Sequence, residues 1–200
     1  KETNITQVNK DEYLHSDINK PIFCNLQTGD YVQHTNKNTF DLSHFINHPR
    51  EYSSCALPYL KVTDVFISAH YWDPTSPKIF EKNQLDQLSK LQVIGDITCD
   101  LDGSIPTTIK STSIEDPNFY IDKNNIKEVK NKKNNLGIMA VDNLPSELPR
   151  DSSLEFGDGI VNHVLPFLVE NDDGRILNAT ITKEGYFLEK YSYLNDYLKS

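Results

Sequence analysis

One stretch, from Leu136 to Leu168, restricts the folds open to this chain more than any other. Residues 136–141 form a short apolar run that reads as a buried strand. It ends on a polar pair, Asp142 and Asn143, and Pro145 and Pro149 then forbid any continuation of a sheet ladder. Asp151, Ser152 and Ser153 are residue types that cap helix N-termini, and Phe156, Ile160, Val164, Leu165 and Leu168 follow at helical spacing. Strand, polar tip, sharp turn and helix together make the architecture of a ligand crevice at the carboxyl end of a sheet.

The rest of the chain sets the bounds. With 200 residues it can bury a real core, in one large domain or two lobes. A net charge of −9 argues against nucleic acid and anionic membrane surfaces as partners. No apolar run is long enough to span a bilayer, and the polar first residues resemble neither a secretory signal nor an Arg-rich transit peptide. Cys24, Cys55 and Cys99 are odd in number and widely spaced. That pattern fits reduced structural thiols and a cytoplasmic location better than a disulfide framework. No CxxC and no Cys/His cluster is visible, so no metal site is expected.

Taken in order, residues 4–8 and 21–26 suit short strands, with a helix start at Asn9 to Glu12 between them. Residues 29–39 are polar and turn-rich. Asp41 suits the N-cap of a short helix carrying Leu42, Phe45 and Ile46, which Pro49 ends. Residues 62–69 are β-branched and apolar on both faces towards their end, which predicts a strand covered on both sides. A helix over 83–91 presents Leu85, Leu88 and Leu91, and residues 93–99 form the next strand, with its tip at 100–104. Strand, helix, strand is half of a doubly wound α/β sheet. Residues 122–135 read as a solvated loop and 171–175 as a turn. Residues 176–181 suit a short helix or a strand, which Gly185 interrupts. Tyr191, Leu194 and Leu198 mark a terminal helix.

Several segments carry a resemblance. VDNLPSELPRDSS at 141–153, Tyr71-Trp72 with Pro77-Lys78, GDITCDLDGSI at 95–105 and IEDPNF at 114–119 occur in one order. FINHPREYSS at 45–54 precedes them. Together they resemble the lysine–2-oxoglutarate reductase (saccharopine dehydrogenase) branch of the alanine dehydrogenase/transhydrogenase superfamily, over roughly residue 40 onwards. The resemblance implies a partial Rossmann-type doubly wound parallel sheet over 1–143. It also implies a crossing helix and a helical return segment of the substrate lobe over 144–200. It implies NAD or NADP as cofactor and an amino acid/2-oxo acid substrate, with hydride transfer at the secondary amine or imine of saccharopine.

By the same resemblance, Ala69, His70, Asp100, Val141, Asp142, Asn143 and Leu144 line the cofactor. Asp100 is the catalytic candidate, a carboxylate able to accept a ribose hydroxyl or assist proton transfer. Each has a plainer alternative. Asp100 would cap its turn, His70 would pack in the core, and Asp142 and Asn143 would fix a hinge. Arg150 binds a substrate carboxylate, or pairs with Glu147 or Asp151 on the surface. Asp102 reads as the turn former before Gly103, Trp72 as a packing anchor and His163 as a surface or inter-lobe residue.

A dinucleotide fold also needs a glycine-rich turn, and no GxGxxG occurs in the sequence. Nor does any segment match the family's N-terminal substrate lobe. The chain is therefore expected to correspond to the C-terminal half of such an enzyme, completed by an N-terminal half or another subunit, with a homo-oligomer as a further possibility. The alternative from a different class is a non-catalytic binding or regulatory module, or one chain of a split enzyme.

Overall fold

The computed structural model describes residues 5–15, 20–36 and 39–199. The chain divides into two compact units, Lys1–Leu144 and Pro145–Ser200. In the first unit the strands are β1 (Thr6–Gln7), β2 (Ile22–Phe23), β3 (Val32–His34), β4 (Tyr52–Ser54), β5 (Val65–Ser68), β6 (Val93–Asp96), β7 (Asn118–Asp122), β8 (Lys127–Val129) and β9 (Leu136–Met139). Its helices are α1 (Lys10–His15), α2 (Thr28–Tyr31), α3 (Leu42–Asn47) and α4 (Leu57–Val62).

The core is a five-stranded sheet in the order β5-β6-β9-β7-β8. β5, β6 and β9 are parallel, while β7 runs antiparallel to β9 and β8 antiparallel to β7. The fold is thus α/β with a partial, parallel-rich Rossmann-type sheet. β6 and β9 are central, and Ile94, Leu136 and Ile138 have no exposed surface. Gly137 keeps that centre tight, because a Cβ there would meet the Tyr120 ring at 3.3 Å. Ile79, Phe80, Leu85, Leu88, Leu91 and Ile105 cover the sheet.

Several local expectations meet the structure directly. Asp41 caps α3 by accepting the His44 amide at 2.7 Å, and Asn9 does the same for Glu12 at 2.9 Å. Others are corrected. β5 is an edge strand, with Val65 57% and Ile67 66% exposed, so it is not covered on both sides. The helix expected over 83–91 is a 3₁₀ segment, Lys82–Gln87. Its leucines lie three apart, which is the 3₁₀ period, and Leu88 and Leu91 donate to the carbonyls three residues back. Residues 29–39 hold α2 and β3, and residues 122–135 hold β8, all beyond the expected turns. Asn4, in the first expected strand, and positions 37–38 lie outside the described residues.

The second unit contains α5 (Pro149–His163), α6 (Leu165–Val169), α7 (Arg175–Ala179), the hairpin β10 (Thr182–Lys183) with β11 (Tyr186–Phe187), and a terminal 3₁₀ segment, Glu189–Lys199. α5 starts earlier than Asp151, because Pro149 takes the first turn, where its missing N–H costs nothing. The Ser152 hydroxyl donates to the Pro145 carbonyl at 3.0 Å, securing the entry. The long helix expected to Leu168 is broken at Val164, before Pro166. Arg175 ties these pieces together. It lies 3.7 Å from the Phe167 ring centroid, donates to the His163 carbonyl and forks onto Asp173. No helix among the described residues is long and apolar enough to cross a membrane.

Candidate functional site

Strand register decides which residues meet. Ser68 pairs with Asp96 and Gly95 with Met139, so β5, β6 and β9 end at one edge of the sheet. Three segments leave from that edge: residues 69–70, 97–104 and 140–144. The positions expected in a crevice, Ala69, His70, Asp100, Val141, Asp142, Asn143 and Leu144, all lie on these segments. Arg150 does not. It is an exposed residue at the start of α5, in the second unit, and forms no ion pair among the described residues.

Asp96 organises the middle segment. It is fully buried at the end of β6 and accepts from Thr98 Oγ1 at 2.5 Å, Thr108 Oγ1 at 2.6 Å and the Cys99 amide at 3.3 Å. Those three donors replace the water that a buried carboxyl group loses. They also bend the chain sharply. Cys99 and Asp102 take φ values of 55° and 52°, a region most side chains avoid. The Cys99 thiol then donates to the Ala140 carbonyl at 2.9 Å, joining this loop to the end of β9. Burial pushes that thiol up, and Asp96, Asp142 and Asp100 push it the same way. Cys99 is therefore a protonated donor rather than a nucleophile.

Asp100 stands exposed at the loop apex. The turn is closed by its main-chain carbonyl, which accepts the Gly103 amide at 3.0 Å, so its side chain is not the turn's cap. Asp102 is more than a turn former. It pairs with Lys78 at 3.0 Å and Lys82 at 3.4 Å, and the Lys78 hydrogen bond leads in holding its carboxyl below the usual range. The Asp100 carboxylate takes no part in that pairing.

His70 is half-buried, with Nδ1 3.2 Å from Ser68 Oγ and its ring 5.9 Å from that of Tyr31. Burial lowers its pKa from the ordinary imidazole value, against an opposing pull from Asp96 and Asp100. The ring is thus neutral near pH 7 and offers one donor and one acceptor. Ala69 is exposed. Val141 is buried and bridges to Thr112, so it offers backbone groups only. Asp142 and Asn143 are exposed, and Leu144 is half-buried. Trp72 donates to the Pro77 carbonyl at 3.3 Å, as a packing anchor would. Sequence reasoning missed the buried hydroxyls of the following loop. Ser104 Oγ and Thr107 Oγ1 are buried without a protein partner, and Thr108 binds Asp96. The nearness of Thr108 to Asp96 comes from the loop's fold and not from any sequence spacing.

Three parallel strands ending in polar loops at one edge, within a mixed five-stranded sheet, define the class, an α/β protein with a partial Rossmann-type sheet. Residues 38–190 match the family "Alanine dehydrogenase/PNT, C-terminal domain", and the chain belongs to it. It is 30% identical over 192 residues to the alpha-aminoadipic semialdehyde synthase of Arabidopsis thaliana, covering 88% of this chain and 18% of that protein. It is 25% identical over 188 residues to the mitochondrial alpha-aminoadipic semialdehyde synthase of Mus musculus, covering 78% and 20%. The chain thus spans about a fifth of the length of these relatives. It is a module of an oxidoreductase family that binds NAD(P).

By their chemistry the residues at the carboxyl edge suit one half of such a cofactor: the exposed carboxylates of Asp100 and Asp142 and the Asn143 amide are groups able to pair with the hydroxyls and amide of a nicotinamide riboside. A pyrophosphate needs glycines at a strand-to-helix turn, with backbone amides aimed at it. Among the described residues the positive-φ glycines are Gly174 and Gly185, both in the second unit, so that half finds no cradle on the sheet.

Proposed function

We propose that this chain forms the nicotinamide-facing part of an NAD(P)-dependent oxidoreductase that makes or cleaves the secondary amine joining lysine to 2-oxoglutarate. The observation that carries this reading is the register that brings His70, Asp100, Asp142 and Asn143 to one edge of the sheet, within the family match. The names of the relatives support the substrate class. A bound nicotinamide would supply or accept the hydride. The chain's own residues do the rest. Asp100 holds the proton exchanged at the amine nitrogen. Neutral His70 and the backbone at Val141 orient the ring, and Asp142 and Asn143 bind polar groups of the riboside.

A second reading, a binding or regulatory module or one chain of a split enzyme, is favoured by the missing pyrophosphate cradle. Saturation-transfer NMR of the 200-residue chain with NADPH separates the two. The oxidoreductase reading expects weak binding in which magnetisation reaches the nicotinamide protons more than the adenine protons. Absent or adenine-dominated transfer would reject it.

A further inference from the structure

A second group of side chains lies away from the sheet edge, where β3, α3 and the short 3₁₀ turn Pro49–Glu51 converge. One ligand atom each of His34, His44 and Glu51 lies within 4.8 Å of the other two. Glu51 Oε2 is 3.2 Å from His34 Nε2 and 3.9 Å from His44 Nε2. The positions are fixed by the backbone. β3 and β4 pair His34 with Tyr52, Glu51 precedes Tyr52, and the Asp41 cap sets the first turn of α3 that carries His44. Tyr52 packs edge-on against His34 at 5.1 Å and against Phe45 at 5.1 Å, giving the group a rigid apolar floor.

Hydrogen bonds hold both rings in place. The Tyr52 hydroxyl lies 3.2 Å from the Asp41 carbonyl and 3.2 Å from His44 Nδ1, which turns His44 Nε2 towards the Glu51 carboxylate. A histidine with Nδ1 held by an oriented oxygen and Nε2 beside a carboxylate has the arrangement of a metal ligand. His34 Nδ1 accepts the Asn36 amide at 2.9 Å, so its proton sits on Nε2 and points at Glu51.

We propose that His34, His44 and Glu51 form a three-ligand site for a divalent first-row transition cation of the zinc class. Two imidazoles and one carboxylate favour zinc, cobalt or nickel over magnesium or calcium, which take all-oxygen shells. On binding, Nε2 of His34 and His44 and a Glu51 oxygen become ligands, and water completes the shell. Any proton on a ligating Nε2 moves to Nδ1 of the same ring or leaves to water, and where His34 Nδ1 takes one the Asn36 amide turns to solvent in an exposed turn. The cation would staple β3, α3 and the turn before β4, a segment otherwise secured by short elements.

Competition titration of the 200-residue chain with Zn(II) tests this. One equivalent should bind, and His44→Ala and Glu51→Gln should each weaken it by about tenfold or more. Tyr52→Phe, which removes the hydroxyl that orients His44 together with its bond to the Asp41 carbonyl, should weaken binding by about 10- to 100-fold while leaving the circular dichroism unchanged. With Co(II) as probe, the absorption should show nitrogen and oxygen ligation without a thiolate charge-transfer band. In the unmodified chain, Zn(II) should shift the side-chain nitrogen resonances of His34 and His44. The proposal is overturned if the unmodified chain binds Zn(II) no more tightly than His44→Ala, if cobalt ligation is through thiolate, or if those resonances stay in place.

Discussion

Gly103 is the position in the crevice with least room for change. A Cβ there would lie 2.4 Å from the Asp100 Cβ and 2.8 Å from its carbonyl oxygen, closer than real atoms approach. Gly103→Ala must open the turn that presents Asp100, and the expected cost in urea unfolding is roughly 1–3 kcal/mol. At Asp100 itself, Asn keeps the size and removes the charge. In an active assembly containing this chain, Asp100→Asn is expected to lower turnover by ~10²–10⁴ with little change in melting temperature. Near-normal turnover with a large fall in melting temperature would instead make Asp100 a structural residue. His70 sets a pH dependence. Its folded pKa is depressed by burial, so on acidification the unfolded chain takes up the proton first. Stability is therefore lost as pH falls below the ordinary imidazole value of about 6.5. The melting temperature of the unmodified chain relative to His70→Asn should fall as pH drops from neutral through about 6.5.

At the scale of elements, Lys123 ties the turn of the β7–β8 hairpin to the leucine segment that covers the sheet. Its ammonium donates to the carbonyls of Leu88 at 2.7 Å and Leu91 at 2.5 Å, satisfying the end of the leucine segment. Burial depresses its pKa. Lys123→Met leaves the Leu91 carbonyl without this donor and the Leu88 carbonyl with the Leu91 amide alone, and a loss of about 1–3 kcal/mol is expected in chemical unfolding. This hairpin was invisible in the sequence because β8 is a polar edge, exposed at Lys127 and Glu128, with only Ile126 reaching the core. β3 was hidden for a different reason. It is three residues long, and its buried members, Val32 and His34, are separated by an exposed Gln33 within a polar stretch. The central strands were legible because β6 and β9 are apolar runs bounded by turn residues. The shared edge from which the motif segments leave was legible because the motifs sit at the ends of those strands. The Asp96 network beneath it was not, because it depends on a loop that brings Thr108 back to a residue twelve positions earlier. The histidine group was missed because its ligands sit on a strand, a helix and a turn, with no metal-site spacing.

At the scale of the molecule, the second unit presents a large apolar surface. Phe156 is 72% exposed and Leu168 56%, whereas Ile160 and Val164, on the same side of the helical run, are half-buried. Apolar side chains left in water on this scale mark an association surface. Sedimentation is expected to show self-association that Phe156→Glu together with Leu168→Glu reverses; a concentration-independent monomer would contradict this. The central claim, that the carboxyl edge of β5, β6 and β9 faces the nicotinamide, is tested most directly by mapping. A residue-resolved amide titration of the ¹⁵N-labelled 200-residue chain with NADPH is the measurement. The expected result is weak binding, without micromolar affinity, with shifts confined to His70, residues 98–102 and residues 141–144. Shifts centred on other segments, or an unchanged spectrum at saturating cofactor, would contradict the claim.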